Sequence, residues 1–227
     1  MGIKERHERD RETVGRAILD AARDLFVSEG YHNVSLRKIA ERIEYSPAAI
    51  YGYFSSKDDI FFALAEEGFR LLCAHRTADT PASPPLDAVG RVRASFWRLY
   101  EFSREHPQYF ALMFVDRSVP RISREYERFA FAREMKQHIR EEIQSCIDAG
   151  ALPAALNPDV AMRTLTVGLV GVAVLSLSER LAPGESADAL AADVLDVTLA
   201  GLRVSTNLRA TSAICPLVDA VPNARAS

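Results

Sequence analysis

Residues 35–57 of this 227-residue chain carry the side chains best suited to chemistry, and the chemistry is contact with phosphate. Tyr51, Tyr53 and Lys57 offer hydroxyl and ammonium groups that can donate to phosphate oxygens. The stretch contains four Lys or Arg against two Glu, whereas the whole chain has a net charge of −3. Any nucleic-acid surface must therefore be local, because the chain as a whole is not a polycation.

Two further features of this stretch point to duplex nucleic acid. Ala48 and Ala49 are small, so the backbone of a helix that contains them can approach base edges in a major groove. Arg37 would stand in the first turn of a helix, where its charge opposes the helix dipole, and a phosphate or a guanine would explain that placement. The alternative is that the tyrosines and Arg37 are ordinary solvated surface.

Short helices must hold these side chains in place. Ser35 can cap a first helix, and Ser46 can cap a second one that has Pro47 at its first position. Ser56, followed three residues later by Asp59, resembles a capping box at the start of a longer helix. Two short helices joined by a tight turn, with a long helix on either side, form a helix-turn-helix arrangement.

Helical periodicity extends over most of the chain. Apolar residues recur at three- and four-residue steps in segments bordered by proline or glycine, and no long alternating pattern is present. We therefore predict an all-α fold of about nine helices, with a disordered tail over residues 209–227. The longest apolar stretch, residues 167–177, is about half as long as a membrane span requires, which predicts a buried helix and no membrane contact.

Other classes of chemistry find little support. The five histidines lack a metal-binding spacing, and three scattered cysteines suit neither a disulfide framework nor a zinc site. Phosphate-binding glycine loops and nucleophile elbows do not occur. Asp58 and Asp59 could suggest a metal-binding pair, but the start of a helix explains both. We expect no metal, no cofactor and no catalytic residue. The charged N-terminus is unlike a signal peptide, which predicts a cytoplasmic protein.

The stretch from Gly30 to Ile60 resembles the DNA-binding domain of the tetracycline-repressor (TetR) family. The matching motifs are Gly30-Tyr31, Val34-Ser35, Ile39-Ala40, SPAAIYGYF (46–54) and SKDDI (56–60), and AILDAARDLFVSEGY (17–31) is similar to the family's first helix. One departure is the turn between the short helices, where Glu44 and Tyr45 replace a glycine and a small aliphatic residue. A left-handed conformation there would cost Glu44 some free energy.

The resemblance implies a homodimeric transcriptional regulator that binds a palindromic operator in double-stranded DNA, and most simply a repressor released by a small apolar effector. It implies a DNA-binding domain over residues 1–57 and a helical effector-binding and dimerisation domain over residues 58–208. Tyr45 in the turn adds a possible DNA contact of its own. Carried over by position, the other expected DNA contacts are Ser35, Arg37, Ser46, Pro47, Ala48, Ala49, Tyr51, Tyr53 and Lys57.

From the C-terminal part of the sequence we predict a dimer interface and an effector pocket. Two apolar helices over residues 160–181 and 187–204 would form a four-helix bundle with those of a second copy. EHPQYFALMF (105–114) is similar to a segment of one branch of the family's effector domains. The candidate pocket walls are Phe62, Phe69, Phe96, Trp97, Tyr100, Phe110, Met113 and Met135.

Two alternatives to an effector-gated regulator remain open. In the first, the aromatic residues form an ordinary core in a regulator that binds no small ligand. A helical enzyme or carrier with an apolar cavity is the other possibility, and it would have no affinity for duplex DNA.

Overall fold

The computed structural model describes residues 3–74, 86–120 and 129–204, and every regular element in these ranges is helical. These elements include a 3₁₀ turn over Tyr31–Asn33 and a π-helical turn over Ala111–Val115. The nine α-helices of the described ranges confirm the predicted all-α class and helix number. They are α1 (Ile3–Glu29), α2 (Leu36–Arg42), α3 (Pro47–Tyr51), α4 (Lys57–Ala74), α5 (Ala88–Glu105), α6 (Pro107–Phe110), α7 (Ala130–Asp148), α8 (Pro158–Leu177) and α9 (Ala187–Val204).

The chain divides into two compact units. The first comprises residues 1–79 and 101–135, and the second comprises residues 80–100 and 136–227. The predicted domain boundary after residue 57 stays a prediction. The predicted tail lies outside the described residues.

The first unit contains the helix-turn-helix, whose short helices begin at the predicted serine caps. Ser35 Oγ accepts from the Lys38 backbone N–H at 3.2 Å, and Ser46 Oγ accepts from that of Ala49 at 3.2 Å. Ser56 Oγ accepts from the backbone N–H of Asp59 at 3.1 Å, at the start of α4. These caps satisfy backbone donors that the first turn of a helix leaves without a partner. The core beneath is formed by fully buried side chains: Ile18, Ala22, Ile39, Ile50, Ile60 and Phe61.

The turn between α2 and α3 adopts the conformation that the sequence made costly. Glu44 has a φ of 59°, in the left-handed region that favours glycine. The backbone N–H of Tyr45 donates to the carbonyl of Ala40 at 2.9 Å and closes the turn. The hydrogen bond and the burial of Ile39 and Ile50 on either side hold Glu44 in this strained state.

In the second unit α8 and α9 pack together along one face. A Cβ added to Gly168 would lie only 2.8 Å from Cγ1 of Val194, so the close approach of the two helices requires glycine there. The opposite face of α8 is open within the chain, with Val167 65% exposed. By length and composition alone α8 could cross a membrane, a test that core helices of soluble proteins also pass.

Candidate nucleic-acid interface

Helix α3 presents its small and hydroxyl-bearing residues outward. Ile50 is fully buried and anchors the helix on the core, while Ala48 is exposed and Ala49 is half-buried. Tyr51 is 60% exposed at the end of the helix, and Tyr45 in the preceding turn is 45% exposed. An exposed face of this kind, next to a capped N-terminus, suits entry into a major groove.

Arg37 and the capping serines of the helix-turn-helix are also exposed. The Arg37 side chain is 79% exposed, and its Nε donates to Glu41 Oε1 at 2.9 Å, one turn further along α2. Exposed pairs of this spacing contribute only about 0.3–0.5 kcal/mol, so a phosphate can displace the carboxylate. Ser35, Ser46 and Pro47 are also exposed, although both serine hydroxyls already accept backbone N–H groups.

Lys57 points partly into the protein. Its Nζ donates to the carbonyls of Tyr31 and Val34, at 2.8 and 2.9 Å, and lies 4.1 Å from the centre of the Tyr31 ring. Burial lowers the pKa of Lys57. An ammonium has three donors, so one remains for a phosphate. The predicted phosphate contact of Lys57 stays a prediction, while its structural role was not foreseen.

The Tyr31 side chain completes this arrangement. Its hydroxyl donates to Asp58 Oδ1, and burial, reinforced by that hydrogen bond, raises the pKa of Tyr31. Its ring packs 5.0 Å from Phe26 and 5.9 Å from Phe61, measured between ring centroids. We call Tyr31, Lys57 and Asp58 the Tyr31 cluster. It fastens the 3₁₀ turn, and with it the entry to α2, to the first turn of α4.

A network of ion pairs and hydrogen bonds connects α1 to α4 and α6. Arg16 Nη2 lies 2.6 Å from Asp20 Oδ1, and Arg16 Nη1 pairs with Glu67 of α4. The guanidinium groups of Arg16 and Arg23 also donate to the Tyr109 hydroxyl of α6, at 3.4 and 3.5 Å. The hydrogen bond from Arg16 lowers the pKa of Asp20. No sequence motif indicated this network, because its members lie on three separate helices.

Arg11 stands beside the end of α3 and was not among the predicted site residues. Its Nη2 donates to the Gly52 carbonyl at 3.4 Å, and its guanidinium carbon lies 5.8 Å from the centre of the Tyr53 ring. A groove of about 310 Å³ lies between α1 and this segment. It is lined by Asp10, Arg11, Val14, Gly52 and Tyr53.

The predicted effector-pocket residues divide between the two units. Five belong to the first unit: Phe62, Phe69, Phe110, Met113 and Met135. Three belong to the second: Phe96, Trp97 and Tyr100. The pocket itself stays a prediction.

Close packing surrounds several of these side chains within each unit. In the first unit, the Phe129 ring lies 5.8 Å from Phe62 and 5.6 Å from Phe69, and a Cβ on Gly68 would clash with Met113 Sδ. In the second, Tyr100 packs on Trp97 and donates to Asp188 at 2.6 Å. Among the described residues, no three His, Cys, Asp or Glu side chains come together as a metal site.

Two family models match the chain. Residues 18–64 match the model described as "Bacterial regulatory proteins, tetR family", and residues 92–198 match "Tetracyclin repressor-like, C-terminal domain". The HTH-type transcriptional repressor Rv1474c of Mycobacterium tuberculosis is 41% identical over 59 residues, which are 26% of this chain and 32% of that protein. An uncharacterised HTH-type transcriptional regulator of Haemophilus influenzae is 29% identical over 133 residues, 58% of this chain and 62% of that protein. The matched part thus spans less than two thirds of each relative.

Solved structures have the same fold. A TetR/AcrR-family regulator from Thermobifida fusca is 25% identical, with a TM-score of 0.56 over 84% of this chain and 99% of that one. FadR from Bacillus subtilis, solved in complex with stearoyl-CoA, is 17% identical, with a TM-score of 0.66 over 82% of this chain and 98% of that one.

The Tyr31 cluster makes a pH-dependent contribution to stability that Tyr31→Phe removes. We expect the variant to lose about 1–2 kcal/mol of unfolding free energy at neutral pH, because the Asp58 carboxylate loses its donor. A tyrosine whose pKa is raised by folding stabilises the protein below about pH 10, and that stabilisation is lost as the pH rises further. The gap between wild type and variant should therefore narrow above about pH 10.

Urea unfolding followed by circular dichroism, from neutral pH to about pH 11, measures this gap. Tyr45→Phe is the matched control, because Tyr45 is exposed, and its unfolding free energy should follow the wild type throughout. A gap between wild type and Tyr31→Phe that stays constant over the whole range would contradict the raised pKa.

Proposed function

Because the chain belongs to the TetR family of bacterial regulatory proteins, we propose that it is a transcriptional repressor whose α3 helices, one from each of two subunits, read a palindromic operator. The members of this family are transcriptional regulators and not enzymes, which disfavours the helical enzyme or carrier considered above. The observation that carries the proposal is the outward face of α3, where Ala48 and Tyr51 are exposed behind the Ser46 cap.

Each residue of this face has a distinct part in the proposed complex. The exposed Ala48 lets the start of α3 approach base edges, as a larger side chain would not. Tyr51 and Tyr45 extend from the surface and donate their hydroxyls to phosphates or bases. Arg37 exchanges Glu41 for a phosphate, and the remaining donor of Lys57 reaches another.

We propose that α8 and α9 form the homodimer interface. Val167 and Leu175 on α8, and Val197 and Val204 on α9, are exposed apolar residues in a single chain, with Val197 72% and Val204 79% exposed. Several exposed apolar side chains on one helix pair are costly in water, and a second copy that covers them would yield a four-helix bundle. This arrangement accounts for the open face of α8 without a membrane, and it suits a regulator that works in the cytoplasm.

A small apolar effector that releases the repressor from DNA completes the proposal. Four of the eight candidate wall residues in the two units are nearly or fully buried: Phe69, Phe96, Tyr100 and Phe110. FadR from Bacillus subtilis, which shares the fold, was solved with stearoyl-CoA, an apolar chain on a polar carrier. An effector changes operator affinity only through its differential affinity for the DNA-binding and released states, typically worth about 1–3 kcal/mol.

Ala48→Leu tests the groove-facing role of α3. We expect operator affinity to fall by at least about 100-fold, because the added side chain keeps the helix away from the bases, at a cost of roughly 3 kcal/mol. Circular dichroism and thermal stability should not change, since Ala48 is exposed. Ala154→Leu, at an exposed position in a turn of the second unit, is the control and should bind normally. Wild-type affinity in Ala48→Leu would rule out this orientation of α3.

Val197→Glu tests the dimer. Because Val197 is 72% exposed in one chain, the charge should leave the subunit folded while it opposes burial against a second copy. Sedimentation velocity should show folded monomers at micromolar concentration, and operator binding should weaken. Val27→Glu, on the 42%-exposed Val27 of α1, is the control and should stay dimeric. A Val197→Glu protein that remains a dimer would place the interface elsewhere.

Trp97, the single tryptophan, reports on the proposed effector site. Medium-chain and long-chain apolar ligands should change its emission over the same concentration range in which they release a fluorescent operator duplex. Thermal stability should rise in parallel, because a ligand that binds only the folded state stabilises it. A broad set of apolar ligands that leaves emission, stability and operator affinity unchanged would favour a regulator without a small effector.

A further inference from the structure

The recognition helix lacks a positive charge of its own. Helix α3 has the sequence PAAIY, with no Lys or Arg. Two cations lie on the neighbouring helices. The Lys57 ammonium donates two of its hydrogen bonds to the carbonyls of Tyr31 and Val34, and Arg37 is paired with Glu41. Phosphate contacts by Lys and Arg supply a large share of the affinity of most DNA-binding proteins. Beyond Arg37 and Lys57, any further phosphate contact beside α3 must come from a cation on a neighbouring element.

Arg11 on α1 is placed to supply it. Its guanidinium donates to the carbonyl of Gly52, the C-cap of α3, and lies over the Tyr53 ring. Arg11 is exposed, and its five N–H donors exceed the single hydrogen bond to Gly52. The carbonyl and the ring hold the planar group in position before DNA arrives, which lowers the entropy cost of a further contact.

We propose that Arg11 is a further DNA-contact residue, which binds a backbone phosphate beside the half-site that α3 reads. This inference rests on the proposed function and extends the interface from the helix-turn-helix onto α1. Asp10 lines the same groove as Arg11. Its carboxylate repels a phosphate and restricts the contact to the side of the groove where the guanidinium lies.

The competing explanation is that Arg11 only caps α3. A cation at the C-terminus of a helix interacts favourably with its carbonyls, whether or not DNA is present. The two roles differ in what salt does to the affinity. A phosphate contact releases counterions on binding, so its removal lowers the slope of log affinity against log salt, whereas removal of a cap lowers only stability.

The test compares Arg11→Ala with Arg9→Ala on a selected operator duplex. Arg9 is a matched control, since it is exposed on the same helix and its Nε donates to the carbonyl of Glu5 at 3.4 Å, within α1 itself. Fluorescence anisotropy over a series of salt concentrations gives affinity and slope. We expect Arg11→Ala to bind about tenfold more weakly on all duplexes alike and to lower the slope by about one. Arg9→Ala should change neither.

Asp10→Asn tests whether removal of a negative charge beside Arg11 changes the DNA affinity in the opposite direction. Removal of this carboxylate should strengthen binding at low salt, because its repulsion of the phosphate is lost. An Arg11→Ala protein with the wild-type slope and a lower melting temperature would show a helix cap only and overturn the proposal. Equal losses in Arg11→Ala and Arg9→Ala would overturn it too, as a general charge effect. A wild-type protein that binds no duplex specifically would instead refute the proposed function itself.

Discussion

The Tyr31 cluster is the interaction on which the DNA-facing part of the molecule depends. Helices of five and seven residues do not persist alone in water, so α2 and α3 exist only because the surrounding structure holds them. Lys57 joins the carbonyls of Tyr31 and Val34 to the start of α4, and the Tyr31 hydroxyl joins the same turn to Asp58. The entrance to the helix-turn-helix and the first turn of α4 are thereby one rigid piece.

Helix α4 connects the start of the helix-turn-helix to other parts of the first unit. Arg16 links α1 to Glu67 near the middle of α4, and Arg16 and Arg23 both donate to the Tyr109 hydroxyl of α6. At Gly68 the π-helical turn comes so close that a Cβ would clash with Met113. The unit that presents α3 also contains five of the proposed effector-wall residues.

Local chemistry made most of the fold predictable. The serine caps at residues 35, 46 and 56 and the helical periodicity follow from neighbouring residues, and the structure confirms them. For Glu44 the sequence indicated only the cost of a left-handed conformation, which the residue does adopt. The departure from glycine at Glu44 was visible only against the family's turn pattern, since a glutamate by itself does not indicate a left-handed residue. Its conformation is maintained by buried neighbours on both helices, which is a tertiary effect.

The contacts that sequence reasoning missed join residues far apart in the chain. Arg11 meets Gly52 across 41 positions, and Arg16 meets Glu67 across 51. Charged residues alternate in sign along the start of α1, so nothing in their spacing distinguishes Arg11 from Arg9. The inward direction of Lys57 was missed for the same reason, because the carbonyls it binds become available only once the 3₁₀ turn packs on α4.

In the proposed complex a pair of these chains reads a two-fold symmetric DNA sequence through α3, and selection of binding sites from random duplexes is the decisive experiment. The purified protein should enrich a palindrome whose half-sites lie about 34–36 Å apart, one turn of the duplex, or a multiple of it. A second selection with Tyr51→Ala should change the preferred bases within the half-sites while their spacing stays the same. No enrichment, or enrichment of an asymmetric site by a protein that sediments as a monomer, would contradict the account.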